Sequence, residues 1–185
     1  PMVFTCDRDY VIDTVKINGE KVITGAEGKE SYTYTNSAVK KDTAVAVTAK
    51  CVNVHYYVKY IDQETGKVLA EQKYAGGQTA GNQVTEQAID IPGYNKPEPA
   101  SKTITIVDGT NIINFEYTRR KDLSYTVSCF LTGTEIGIGS DQIVENQVFG
   151  DTVEAKAPAL EGYTLQSDDT VSVTMGLADN RARFY

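Results

Sequence analysis

The chain has 185 residues, a formal charge of −7 from 18 Lys and Arg against 25 Asp and Glu, and one histidine. A nucleic-acid partner is argued against, because phosphate backbones demand clustered Lys and Arg that this acidic chain lacks. No apolar run reaches the length of about 18 residues that a membrane span needs, and the opening PMVFTCDRDY has neither half of an export signal.

From the N-terminus, Asn18-Gly19 marks a hairpin turn, and Val45, Val47, Ala49 and Cys51 place every second side chain on one strand face. Cys6 follows Phe4 with the same spacing. Two alternatives stay open for Cys6 and Cys51: a disulfide, or two small buried thiols. Cys129 falls in phase with Tyr125 and Val127, as a core residue without a partner would. Three cysteines leave the redox compartment open.

Period-2 alternation continues through TAVAVTAKC, HYYVKYI, KTITIV, NIINFEY, SYTVSCF and TVSVTM, all rich in Val, Ile, Thr, Tyr and Phe. Turn residues punctuate these runs at 64–66, 75–77, 92–94, 108–110 and 132–134. The fold class is therefore mainly β, all-β to α+β. Thr79–Ile89 and Asp151–Ala157 are the least strand-like stretches, and each is expected to hold a helical turn or short helix.

IPGY at 91–94 returns as LEGY at 160–163, and the same 69-residue offset links Val58 to Val127, Gly81 to Gly150, Val84 to Val153 and Phe115 to Phe184. Two copies plus an N-terminal remainder give three small modules end to end, at 1–52, 53–119 and 120–185. Modules of this size bury only about 60% of their unfolded surface, so their cores are thin. Acidic excess is concentrated late: residues 121–185 carry 10 acidic and 4 basic side chains. Superposed copies put Tyr56, Val58 and Tyr60 inside with Tyr125, Val127 and Cys129, and put Tyr57 and Lys59 outside with Thr126 and Ser128. Ile113 and Phe115 match Ala182 and Phe184 inside. Gly93 and Gly162 are expected at positive φ, with Tyr94 and Tyr163 packing each turn onto its sheet.

Catalytic and metal chemistry finds little support. His55 would have to serve any Ser/His/Asp or Cys/His machine, yet no cysteine sits in a nucleophile motif. Zinc needs three or four clustered ligands. Asp168 and Asp169 are adjacent on an extended stretch, so they point to opposite faces and do not flank one sugar. DQETG at 62–66 resembles a calcium loop, but its twelfth position is Lys73 in place of a carboxylate, which leaves a hairpin turn. GIGS at 137–140 is no phosphate loop. No enzyme activity and no cofactor are expected. Recognition by exposed aromatic rings remains, with Tyr57, predicted outward, and Tyr74, beside AGGQ, as the candidate ligand-binding residues.

YYVKYIDQETGKVLAEQ, AGNQVTEQAIDIPGY and NIINFEY together resemble the mucin-binding-protein (MucBP) type repeat of Gram-positive surface proteins. YTVSCFLTGTEI through FGDTVEAKAPALEGY to RARFY is a more divergent copy, with Leu131 where Asp62 stands. DYVIDTVKINGEKV with ESYTYTNSAVKKDTAVAVTAK is similar to the back half of an internalin-type B repeat. The resemblance implies β-grasp-like units strung along an extracellular, cell-wall-associated protein. It also implies an adhesin region that binds mucin, glycan or a host surface protein weakly and multivalently. A passive spacer projecting a distal binding domain, or an accessory module of a secreted glycan-active enzyme, are the alternatives. The chain opens and stops inside strand-like runs, as a monomeric piece of a longer protein would.

Overall fold

The computed structural model of the chain describes residues 1–36 and 42–185. Among the described residues every regular element is a strand, and the sheets are small, with no closed barrel. No helix there is long and apolar enough to cross a membrane. In chain order the first strands are β1 (Met2–Thr5), β2 (Tyr10–Ile17), β3 (Glu20–Val22), β4 (Ser31–Tyr34), β5 (Val45–Asp62), β6 (Lys73–Thr79) and β7 (Gln83–Gln87). There follow β8 (Tyr94–Asn95), β9 (Ser101–Thr105), β10 (Asn111–Arg119), β11 (Leu123–Phe130), β12 (Gly137–Gln147), β13 (Thr152–Lys156), β14 (Thr170–Thr174) and β15 (Arg181–Phe184). The chain forms two compact units. One comprises Pro1–Lys59, Glu71–Gln87 and Ser101–Phe115; the other comprises Tyr60–Ala70, Ala88–Ala100 and Glu116–Tyr185.

In the first unit, β2 turns into β3 through Asn18 and Gly19, both at positive φ (51° and 87°), the pairing that matches a right-twisted hairpin. Asn18 also accepts from the Ala44 amide at 2.9 Å and so ties the turn to the start of β5. Ile12 and Val15 of β2 pack with Ala26, under Cys6, Val22, Tyr32, Val45 and Val47. In the sheet order β5 lies between β2 and β10, and β6 pairs with it as well; β2 and β6 are both antiparallel to it. Beside it β7 and β9 form a two-stranded ribbon.

Strand β5 changes which of its sides faces inward. Val45 and Val47, odd-numbered, turn to the cluster around Ile12, whereas Val54, Tyr56 and Val58, even-numbered, are buried further along. A period-2 strand can do this only by inserting one residue. Asn53 is that residue: its φ is 67°, and the pairing with β6 slips between Val52 and Val54. Asparagine tolerates the left-handed region better than other side chains bearing a Cβ.

In the second unit, β11 pairs antiparallel with β12 and parallel with β15, from Thr126 opposite Arg181 to Cys129 opposite Phe184. Tyr125, Val127, Ala155, Val173, Met175, Ala182 and Phe184 close the core beneath, with the β13–β14 ribbon as its lid. Only residues 120–122 separate β10 from β11. Arg119 bonds Glu64 at 2.8 Å, Asp151 at 2.5 Å and the Phe149 carbonyl at 3.3 Å. The Phe149 ring lies directly over Gly93 and edge-on to Tyr94, with centroids 5.9 Å apart.

The 69-residue offset recurs in the hydrogen bonds. Gly81 N to Ile106 O is matched by Gly150 N to Met175 O, and Ala88 N to Ala100 O by Ala157 N to Asp169 O. Tyr94 N to Ile91 O is matched by Tyr163 N to Leu160 O. Side chains take part too: Asn111 and Asn180 each bracket a loop four residues upstream through both amide and carbonyl.

Three expectations are corrected. The helical turns expected at Thr79–Ile89 and Asp151–Ala157 are strands β7 and β13. Their ladder partners, β9 and β14, arrive from about 20 residues downstream and satisfy the backbone as strand, whatever the local propensity. Ser128, expected in solvent with Tyr57 and Lys59, is buried at 1% exposure, because β11 changes register against β12 between Val127 and Cys129. Gly93 and Gly162 do share φ of 85°, but only Tyr94 packs onto its sheet; Tyr163 is 56% exposed.

Two stability measurements follow. Asn53→Val is expected to cost about 1–2 kcal/mol in urea unfolding, and Asn53→Gly to be tolerated, because only the left-handed backbone separates them. Gly93→Ala is expected to destabilise more than Gly162→Ala by about 1–3 kcal/mol. Both pay the same φ, but a Cβ at 93 would meet the Phe149 ring at 2.3 Å while the one at 162 meets open space. Equal losses would rule out the ring contact as the reason for Gly93.

Candidate functional site

Tyr57 and Tyr74 stand directly opposite each other on β5 and β6, with ring centroids 5.5 Å apart. His55, two residues before Tyr57 and so on the same face, completes the group at 5.3 Å from Tyr57 and 5.6 Å from Tyr74. Tyr74 is 61% exposed, and Tyr57 and His55 are half-buried against it. The backbone makes room: Gly76 leaves the space that the Tyr74 phenol occupies, since a Cβ there would lie 2.9 Å from its oxygen. The sequence reading named both tyrosines and missed His55. The signal was available, because an i, i+2 spacing on a strand puts two side chains on one face.

The opposite face of the same strands holds this surface in place. Tyr56 donates to Glu86 Oε1 at 2.5 Å, and Lys73 reaches both Glu86 oxygens at 2.7 and 2.9 Å. Burial alone would raise the Glu86 carboxyl; the bonds from Lys73 and Tyr56 outweigh it and hold the group below the ordinary glutamate range. Lys73 and Tyr56 thereby fix β6 against β5, next to Tyr74.

The remaining candidates take structural roles. Asp62 is 3% exposed; its Oδ1 accepts from the Glu64 and Thr65 amides at 2.8 and 3.0 Å, and its Oδ2 from the Tyr94 phenol at 3.0 Å. These bonds make it the anchor of a hairpin and not a cation ligand. Asp168 and Asp169 are both exposed. Among the described residues no three His, Cys, Asp or Glu side chains gather as metal ligands would.

Cys6 and Cys51 are free thiols, as is Cys129. Cys6 packs on the Ile12 cluster, whereas Cys51 donates to the Val52 carbonyl at 3.5 Å beside Tyr10 and Asp108. The hydrogen bond to Asp108 pushes Tyr10 up to about 12. Burial and then the same carboxylate push Cys51 upward, and burial does so for Cys129. Thiols so shifted hold little thiolate at neutral pH and are poor nucleophiles.

The chain is similar to Internalin J of Listeria monocytogenes. Identity is 27% over 164 residues to the protein of serotype 4b and 23% over 185 residues to that of serovar 1/2a, covering 88% of this chain in each case. The similarity therefore extends well beyond residues 1–52, the stretch whose own pattern resembles an internalin-type repeat. The chain spans 16% and 21% of the length of these two relatives. No protein-family model matches it.

Glu86 generates a pH expectation. A carboxylate held low contributes stability that is fully present above its unfolded value of about 4.3 and is lost as pH falls through the lower folded value. Near-UV circular dichroism of the tyrosines is expected to change below about pH 4.3. In Glu86→Gln that acid transition is expected to shrink. A transition unchanged in the variant would show that the Lys73–Glu86–Tyr56 group does not hold the ring surface.

Proposed function

We propose that the chain is a repeat segment of an extracellular, cell-wall-associated adhesin, and that the His55–Tyr57–Tyr74 surface is its contact for a glycan, a mucin or a host surface protein. The cross-strand apposition of Tyr57 and Tyr74 beside His55 carries this reading. Sugar rings stack on aromatic faces, and one exposed tyrosine with two supporting rings presents such a face at low entropic cost. Similarity to Internalin J supports placement among internalin-type surface proteins. The organisation that goes with this reading has three modules, 1–52, 53–119 and 120–185, of which the second and third are MucBP-like. The segment acts without catalysis and without a cofactor. One shallow platform binds weakly, and recurrence along a longer protein converts weak contacts into avidity.

A spacer role is the second reading, and one observation favours it. Arg119, bridged between Glu64 and Asp151, stiffens the short passage from β10 into β11. A stiff passage suits a stalk.

Mucin and glycan-array binding by the chain, alongside its Tyr57→Ala, Tyr74→Ala and His55→Ala variants, separates the two. Adhesion predicts saturable binding that falls at least about tenfold in Tyr74→Ala, a loss of about 1.4 kcal/mol. A blank array for the unaltered chain favours the spacer.

A further inference from the structure

The second copy presents the sheet face that carries the rings of the first, but with different side chains. Tyr57 stands opposite Tyr74 across β5 and β6, and at the same 69-residue register Thr126 stands opposite Ile143 across β11 and β12. Ser124 takes the place of His55. On the other flank, β15 sets Arg181 beside Thr126 and Arg183 beside Ser128, where the first copy has Ile112 and Asn114. This face is open in both copies. Ile112 and Asn114 are exposed on β10, which runs on to Arg119, just as Arg181 is exposed and Arg183 half-buried on β15.

Arg120, Arg181 and Arg183 line one groove of about 760 Å3, together with Ser124 and Thr126. Residues 121–185 hold 4 basic side chains against 10 acidic ones, yet two of those four, and Arg120 just before them, face this groove. Each guanidinium has an acidic neighbour: Arg120 bonds Asp122 at 2.8 and 2.9 Å, Arg181 lies 3.9 Å from Asp141, and Arg183 bonds Glu135. Pairs this exposed contribute at most about 1 kcal/mol, so an incoming anion exchanges them at small cost. Arg183 is also held with its guanidinium 4.3 Å over the Phe130 ring, which orders the cation before any ligand arrives.

We infer that this groove receives a sulfate ester carried on a sugar. Among its lining residues the three arginines exceed Asp122 and Asp179 by a single positive charge, which matches one singly charged oxyanion. A dense polyanion is disfavoured, because the rest of the module is acidic and repels it. A phosphate ester carries about −1.5 to −2 at neutral pH and meets more repulsion from the two aspartates. A carboxylate has the right charge but offers only two oxygens, the complement of a single guanidinium fork, whereas a sulfate ester offers three to arginines from two parts of the chain. Ser124 and Thr126 add hydroxyls of the kind that bond sugar oxygens. The sugar scaffold rests on the adhesin reading; the arginine groove does not, and it is a separate site from the His55–Tyr57–Tyr74 surface.

The test follows amide NMR of the whole chain during titration with galactose 6-sulfate. Saturable shifts are expected at Ser124, Thr126, Arg181 and Arg183, and none with galactose. Galactose 6-phosphate and galacturonic acid are expected to bind more weakly than the sulfate. Arg181→Gln is expected to weaken binding at least about tenfold, with an unchanged urea midpoint to show that the fold is kept. Lys156→Gln removes the same charge from an exposed position of β13 outside the groove and is expected to leave binding unaltered. The proposal is overturned by absence of saturable shifts at millimolar galactose 6-sulfate, by tighter binding of the phosphate or the uronic acid, or by equal losses in the two variants. Equal affinity for methyl sulfate, which has no sugar, overturns the sugar scaffold. Shifts confined to Tyr57 and Tyr74 overturn the groove while leaving the ring-surface reading in place.

Discussion

Two carboxamides, Asn111 buried and Asn180 half-buried, hold the closing strand of each copy against the opening one. Asn111 donates to the carbonyls of Val107, Gly109 and His55 and accepts from the Val107 amide; Asn180 donates to Gly176 and Ser124 and accepts from the Gly176 amide. An extended strand approaching its neighbour in parallel has no tight hairpin to fix its register. The asparagine does that work by bonding a loop on one side and the first strand on the other. Once β15 is registered on β11, Ala182 and Phe184 fall under Tyr125 and Val127, and the core closes.

The same framework is used to different ends in the two copies. In the first, a buried carboxylate at 62 pins a hairpin and a phenol together, and two tyrosine rings fill the space between strand and loop. In the second, the hydrogen-bond skeleton recurs while Leu131 and Cys129 stand in the places of Asp62 and Tyr60. A ladder of backbone bonds is indifferent to side-chain volume, so a duplicated module can exchange side chains and keep its hydrogen-bond pattern. The surface that carries the proposed adhesive contact is likewise built on backbone: β6 is held beside β5 by Lys73 and Glu86 on one face, and the rings assemble on the other.

Much of this was legible in the residues. Period-2 runs gave the strands, and the 69-residue offset placed Tyr56, Val58, Tyr125 and Val127 inside, where they are. Positive φ at Gly93 and Gly162 follows from the turn chemistry of Gly-Tyr alone. Tyr57 and Tyr74 were identified as outward or mobile-looking tyrosines, one from phase and one from neighbouring glycines; nothing local tells that they meet.

The chain order of hydrophobic and turn residues by itself determined a mainly β class, the 69-residue repeat and most inward faces, because alternation and turn stereochemistry are local properties. Tertiary structure decided what depends on a partner distant in sequence. Whether 83–87 and 152–156 become strand or helix is set by ladder partners some twenty residues away. Where the inward side of β5 flips is set by a bulge at Asn53, and Ser128 is buried by a register shift against β12. Whether the ring of a repeated Gly-Tyr pair packs or stands free goes with a carboxylate thirty-two residues earlier, present at Asp62 and replaced by Leu131.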